Sequence, residues 1–70
     1  MSTSDPRSYR IILVELEDGR WTERLFDPLG ALIYESSSYS HERAQQAALE
    51  VLIKKDPRAE YTVVKKPIRG

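Results

Sequence analysis

The sequence predicts an α+β fold of the order β-β-β-α-β: an antiparallel three-stranded meander, one helix packed on one face, and a C-terminal strand. Three observations predict it. Residues 9–36 break into three runs rich in β-branched, aliphatic and aromatic side chains, separated by Asp18-Gly19 and by Asp27-Pro28-Leu29-Gly30, both of them tight-turn sequences. Residues 41–55 carry apolar side chains at helical rather than alternate spacing. Residues 60–66 return to a strand composition, with Tyr61, Thr62, Val63 and Val64 in succession.

Residues 1–8 begin Met1-Ser2-Thr3-Ser4-Asp5-Pro6 and read as a flexible polar arm. The first strand, Tyr9 to Leu16, leads into Asp18-Gly19. A two-residue type I′ loop there, with positive φ at both positions, places Glu17 opposite Arg20, Leu16 opposite Trp21, Val14 opposite Glu23 and Ile12 opposite Leu25. The second strand, Arg20 to Phe26, stops at Asp27-Pro28-Leu29-Gly30. In that quartet Asp supplies a side-chain acceptor, Pro a preset φ and Gly conformational freedom. A third strand runs from Ala31 to about Ser36; a tight turn sets Leu32 opposite Leu25, Ile33 opposite Arg24 and Tyr34 opposite Glu23.

Strand side chains alternate, so this register defines two faces. One carries Ile12, Val14, Leu16, Trp21, Leu25, Leu32 and Tyr34 and reads as the core. Glu23 is the single charge on it, expected at the sheet margin or bonded to the Tyr34 hydroxyl. The other face has Ile11, Leu13, Phe26 and Ile33 at one end and Glu15, Glu17, Arg20, Thr22 and Glu35 at the other, with Arg24 between. Glu17–Arg20 and Glu15–Arg24 are the cross-strand ion pairs expected on it. A face that is half apolar carries more hydrocarbon than solvent exposure calls for.

Ser36 to Ser40 reads as the loop before the helix, with Ser40 as N-cap and Glu42 in the first turn, where the helix dipole favours an acid. From His41 to Lys55, Ala44, Ala47, Ala48, Val51 and Leu52 form one stripe. Leu49 and Ile53 lie off that stripe and, as i, i+4 neighbours, make a second small apolar patch. Lys54 and Lys55 close the helix, and Asp56-Pro57 stops it. Glu60 to Lys66 is the fourth strand, whose pairing the sequence leaves open, and residues 67–70 are a tail. Residues 9–66 thus form one domain.

Composition narrows the function classes. A domain of 70 residues buries only about 60% of the surface of its unfolded chain, and disulfides, metals or oligomerisation are the usual supplements. There is no cysteine and one histidine, His41, so thiolate and imidazole metal sites are not expected. His41 reads as a solvated residue of the first helical turn. The serines at 36–38 and 40 and the scattered glutamates form no catalytic constellation, and no cofactor is expected. The N-terminus lacks the apolar region of a signal peptide, and no apolar run approaches the length of a membrane span; the expectation is a soluble, cytoplasmic protein.

The 11 basic and 11 acidic residues cancel, which argues against a dedicated non-specific nucleic-acid binder. Their distribution is uneven: residues 1–53 hold five bases and nine acids, residues 54–70 six bases and two acids.

Trp21-x-x-Arg24-Leu25, Gly30, Ile33, Ser36 and Tyr39, followed by an Ala-rich helix, resembles the YegP-like family of small bacterial proteins of unknown function. The likeness spans roughly residues 9–56. It implies a ββα-type unit, often dimeric or tandemly duplicated, and carries no catalytic residues. The chain departs from the family in having Leu29 where an Asn usually precedes the turn glycine, and Glu23 where a second aromatic is common. A looser similarity is to the arm-type DNA-binding domains of tyrosine recombinases, whose sheets are strongly basic, as this one is not.

The leading expectation is therefore a non-enzymatic interaction module that binds itself or another protein through Ile11, Leu13, Arg24, Phe26 and Ile33, helped by Leu49 and Ile53. The alternative is a nucleic-acid-binding or phage- or plasmid-type regulatory protein that uses Lys54, Lys55, Arg58, Lys65, Lys66 and Arg69.

Overall fold

A computed structural model describes residues 8–68; most of the expected arm, and Arg69 and Gly70 of the expected tail, lie outside the described residues. The elements are β1 (Ser8–Glu15), β2 (Trp21–Phe26), β3 (Leu32–Ser38), α1 (His41–Lys55) and β4 (Glu60–Lys66). This is the expected α+β order. They form one four-stranded sheet of order β3-β2-β1-β4. β1–β2 and β2–β3 are antiparallel, and β4 lies parallel to β1 from Ser8↔Glu60 to Val14↔Lys66. α1 carries the chain from one edge strand to the other. It packs over β1, β2 and β3 and scarcely touches β4.

The first hairpin departs from expectation by one residue. Its loop has three residues, Glu17-Asp18-Gly19, closed by the Leu16 N–H donating to the Arg20 carbonyl at 2.7 Å and the Gly19 N–H donating to the Leu16 carbonyl at 3.0 Å. Only Gly19 has positive φ, 92°, and no non-glycine residue does. A type I′ loop would have forced Asp18 into the left-handed region, at roughly 1–2 kcal/mol for an L-residue. Instead the Asp18 carboxylate accepts the Arg20 backbone N–H at 3.1 Å and its Nε at 2.9 Å. That backbone N–H is the main reason the Asp18 carboxyl sits below its ordinary value of 3.8. The Arg20 partner is thus Asp18, not Glu17.

The second turn forms where expected and has the same design. Gly30, at φ 93°, ends a Pro28-Leu29-Gly30 loop closed by the Asp27 N–H donating to the Ala31 carbonyl at 2.9 Å. Asp27 Oδ1 accepts the N–H groups of Leu29 at 3.0 Å and Ala31 at 2.8 Å.

The extra loop residue gives the pairs Ile11↔Leu25, Ile12↔Arg24, Leu13↔Glu23 and Glu15↔Trp21. A slip of one residue turns a whole strand over, so Ile11 and Leu13, expected on the contact face, are fully buried under the helix, and Ile12 and Val14 take the opposite face. β1 could be misread because both of its faces are apolar; its pattern selects no register, and the turn does. β3 slips as well: Tyr34 pairs with Leu25, Glu35 with Arg24 and Ser36 with Glu23, and an irregularity between Leu25 and Phe26 accommodates Ile33. The resulting bulge lets Ile33 and Tyr34 both pack against the core. β3 also continues through Ser38, into the serines expected as loop.

The core consists of Tyr9, Ile11, Leu13, Leu25, Ala44, Ala48 and Leu52. The alanines let the helix backbone approach the sheet. Ser40 caps α1 as expected, its Oγ accepting the Arg43 N–H at 3.2 Å. At the other end the Asp56 N–H donates to the Leu52 carbonyl at 2.7 Å, and the chain turns through Pro57 into β4. Beyond β4 the Ile68 N–H donates to Glu15 Oε1 at 3.1 Å.

Candidate functional site

With one helix on one face, the sheet has a second face that no element of the described residues covers. In the observed register it carries Arg10, Ile12 and Val14 from β1, Thr22, Arg24 and Phe26 from β2, Leu32 and Glu35 from β3, and Thr62, Val64 and Lys66 from β4. Ile12 lies between Arg24 and Val64, and Val14 between Thr22 and Lys66. Ile12, Val14 and Phe26 are half-buried by their neighbours alone. Leu32 and Val64 are 47% and 39% exposed. The centre is an apolar band with charge at its margins, among them the Arg24 Nε–Glu35 Oε2 pair at 2.8 Å. Both of its members are about half exposed, so it contributes little stability and serves to orient. Where β1 begins and β2 ends, Ser8, Arg10, Ile12, Phe26, Pro28 and Thr62 line a depression of about 330 Å³.

Of the residues expected to form the contact surface, Arg24 and Phe26 are on this face. Ile11 and Leu13 are core, and Ile33 and Leu49 pack against the core from its edges. Ile53 is 55% exposed but belongs to the helix, on the other side of the sheet. Ile12, Val14, Leu32 and Val64 take their place. A first loop with one positive-φ residue rather than two gives Ile12 and Val14 by alternation; Leu32 reaches this face through the β3 irregularity and Val64 through the pairing of β4 with β1, neither of which has a local signal.

Glu23 is where the sequence placed it, on the helix side, and is 1% exposed. Each carboxylate oxygen has one hydroxyl donor: Tyr34 to Oε2 at 3.1 Å and Ser38 Oγ to Oε1 at 3.0 Å. Burial, with the Glu23 carboxylate adding to it against an opposing pull from the Ser36 hydroxyl, pushes the Tyr34 phenol above its ordinary value of 10.0. Tyr34 therefore keeps its proton and donates it, which suits a structural clasp around a buried acid.

His41 is not the solvated residue expected. Its ring meets Trp21 edge-on, with centroids 5.4 Å apart and planes at 71°. Its Nδ1 is buried without a hydrogen-bond partner among the described residues. Among the described residues no carboxylate orients the ring, and no group of three or more His, Cys, Asp or Glu is placed to hold a metal ion.

The basic residues fall into two groups. Lys54, Lys55 and Arg58 surround the end of α1 and the start of β4, while Lys65 and Lys66 lie at the other end of β4. Six strand steps, about 20 Å, separate the groups; Arg69 is outside the described residues. Among the described residues no helix is long and apolar enough to cross a membrane.

Comparison of the chain with models of known protein families, with curated proteins and with solved structures finds no match.

Proposed function

We propose that the chain is a non-enzymatic interaction module that binds a protein partner through the sheet face opposite the helix. One observation carries this reading: among the described residues, no element covers the apolar band of Ile12, Val14, Phe26, Leu32 and Val64. Contiguous apolar surface with a charged rim is what protein interfaces are made of. The phenylalanine is the anchor, and Arg24, held by Glu35, gives direction at the rim. The YegP-like resemblance, which implies paired units and no catalytic residues, points the same way.

Photo-crosslinking tests the reading. Benzoylphenylalanine is installed at position 26, on the face, or at position 29, whose leucine is 93% exposed in the turn. The expected result is a discrete protein adduct from position 26 and none from position 29. Equal or absent labelling at the two positions refutes it.

A second reading, nucleic-acid binding, is favoured by the basic ends of β4 and by the excess of bases in residues 54–70. It requires affinity for DNA or RNA that falls steeply with salt; no binding at low salt removes it.

A further inference from the structure

β4 is an edge of the sheet, bonded to β1 along one side only. Edge strands are ordinarily blunted by bulges, prolines or inward charges, because their free N–H and C=O groups template pairing with another chain. The opposite edge, β3, has such a device in its bulge at Ile33. β4 has no bulge or proline within its length: all seven residues keep unbroken register with β1, Pro67 comes only after the strand, and the one inward charge is Lys65 on the helix side. The helix leaves its upper side open, with Tyr61 42% exposed.

The residue order of this edge is self-complementary. Laid antiparallel to itself about Val63, β4 sets Glu60 opposite Lys66 of a second copy, Tyr61 opposite its Lys65, Thr62 opposite its Val64, and Val63 opposite its Val63. Each pair also meets on one face of the sheet, since 60, 62, 64 and 66 lie on the open side and 61, 63 and 65 on the helix side. Two-fold symmetry makes every heterologous pair occur twice: two opposite-charge pairs, two ammonium–aromatic pairs and two β-branched pairs. The parallel alignment instead stacks lysine on lysine and glutamate on glutamate, which is unfavourable.

We infer that the chain forms a two-fold homodimer by antiparallel β4–β4 pairing centred on Val63. The product is a continuous eight-stranded sheet with both helices on one side. The two open faces merge on the other, doubling the surface assigned above to a partner. The inference goes beyond that reading, because it uses a different surface: Phe26 lies two strands in from the β4 edge.

The absence of cysteine makes single-cysteine variants clean probes. Directly opposed residues have Cα atoms about 4.5–5.5 Å apart, within disulfide reach, whereas residues displaced by two positions are beyond about 7 Å. On mild oxidation Val63→Cys is expected to form a covalent dimer at least about tenfold faster than Val64→Cys, while an equimolar mixture of Thr62→Cys and Val64→Cys crosslinks as heterodimer. Sedimentation equilibrium supplies the charge test. Glu60→Lys and Lys66→Glu, each shown folded by circular dichroism, are expected to weaken dimerisation about tenfold or more, and the double swap to restore it. A monomer at millimolar concentration, equal crosslinking at 63 and 64, or a double swap no better than either single variant overturns the inference. A discrete position-26 adduct in a chain that sediments as a monomer would overturn the dimer while the face reading stands; a dimer by sedimentation and crosslinking that gives no position-26 adduct would do the reverse.

Discussion

The Glu23 clasp gives the sharpest test of how this small domain is held together. The carboxylate is 1% exposed and has two hydroxyl donors, at 3.1 and 3.0 Å. A hydrogen bond to a charged group contributes about 1.5–3 kcal/mol, and its removal leaves an acceptor without its partner in low dielectric. Tyr34→Phe should therefore destabilise the protein by about 1.5–3 kcal/mol. Ser38→Ala should cost about 1 kcal/mol, because Ser38 is only half-buried and water can replace its hydroxyl. Against a total of roughly 3.5–10 kcal/mol for a chain of this length, losing both donors is a large fraction. Glu23→Leu behaves differently. It removes the buried acid together with its need for donors, so it should be near neutral, and in that background Tyr34→Phe should cost less than about 0.5 kcal/mol. Urea unfolding followed by the fluorescence of the single tryptophan, Trp21, measures all four variants. If Tyr34→Phe costs the same with and without Glu23, the phenol contributes by packing alone and the clasp is refuted.

Three further outcomes follow from the same structure. Gly19→Ala and Gly30→Ala should each cost about 1–2 kcal/mol and agree within about 0.5 kcal/mol, since φ is 92° and 93° and nothing lies within 4 Å of an added Cβ at either site; urea midpoints would show a steric rather than conformational origin if the two differed widely. Ser40→Ala should lose about 1 kcal/mol of stability and Ser40→Asp should retain it, read by thermal unfolding, because Oγ caps the Arg43 N–H. Because the Tyr34 phenol is raised above 10.0 in the folded state, the unfolded chain ionises first. The stability it contributes is complete below about pH 10 and is lost as pH climbs through the folded value; a urea-midpoint series from about pH 9 to 11 should show a decline that Tyr34→Phe reduces.

Local chemistry decided the element order, the helix from His41 to Lys55 with its Ser40 cap, and the β4 limits: a capping hydroxyl, a proline stop and helical spacing are all legible in the chain. The sequence offered Glu23 either the sheet margin or the Tyr34 hydroxyl, and the sheet register chose the hydroxyl. Which face of β1 is buried depended on the tertiary structure, because Ile11-Ile12-Leu13-Val14 is apolar on both sides and supplies no alternation to read. The choice passed to a loop whose Asp18-Gly19 pair suits either two or three residues, and it was settled by the cost of positive φ at Asp18 against the bonds Asp18 makes to Arg20. That one residue of register moved Ile11 and Leu13 into the core and brought Ile12 and Val14 to the open face. The place of β4 was equally beyond local reading. Its neighbour is a strand some fifty residues earlier in the chain, and only the path of the helix across the sheet decides which edge it reaches, and so which edge is left free.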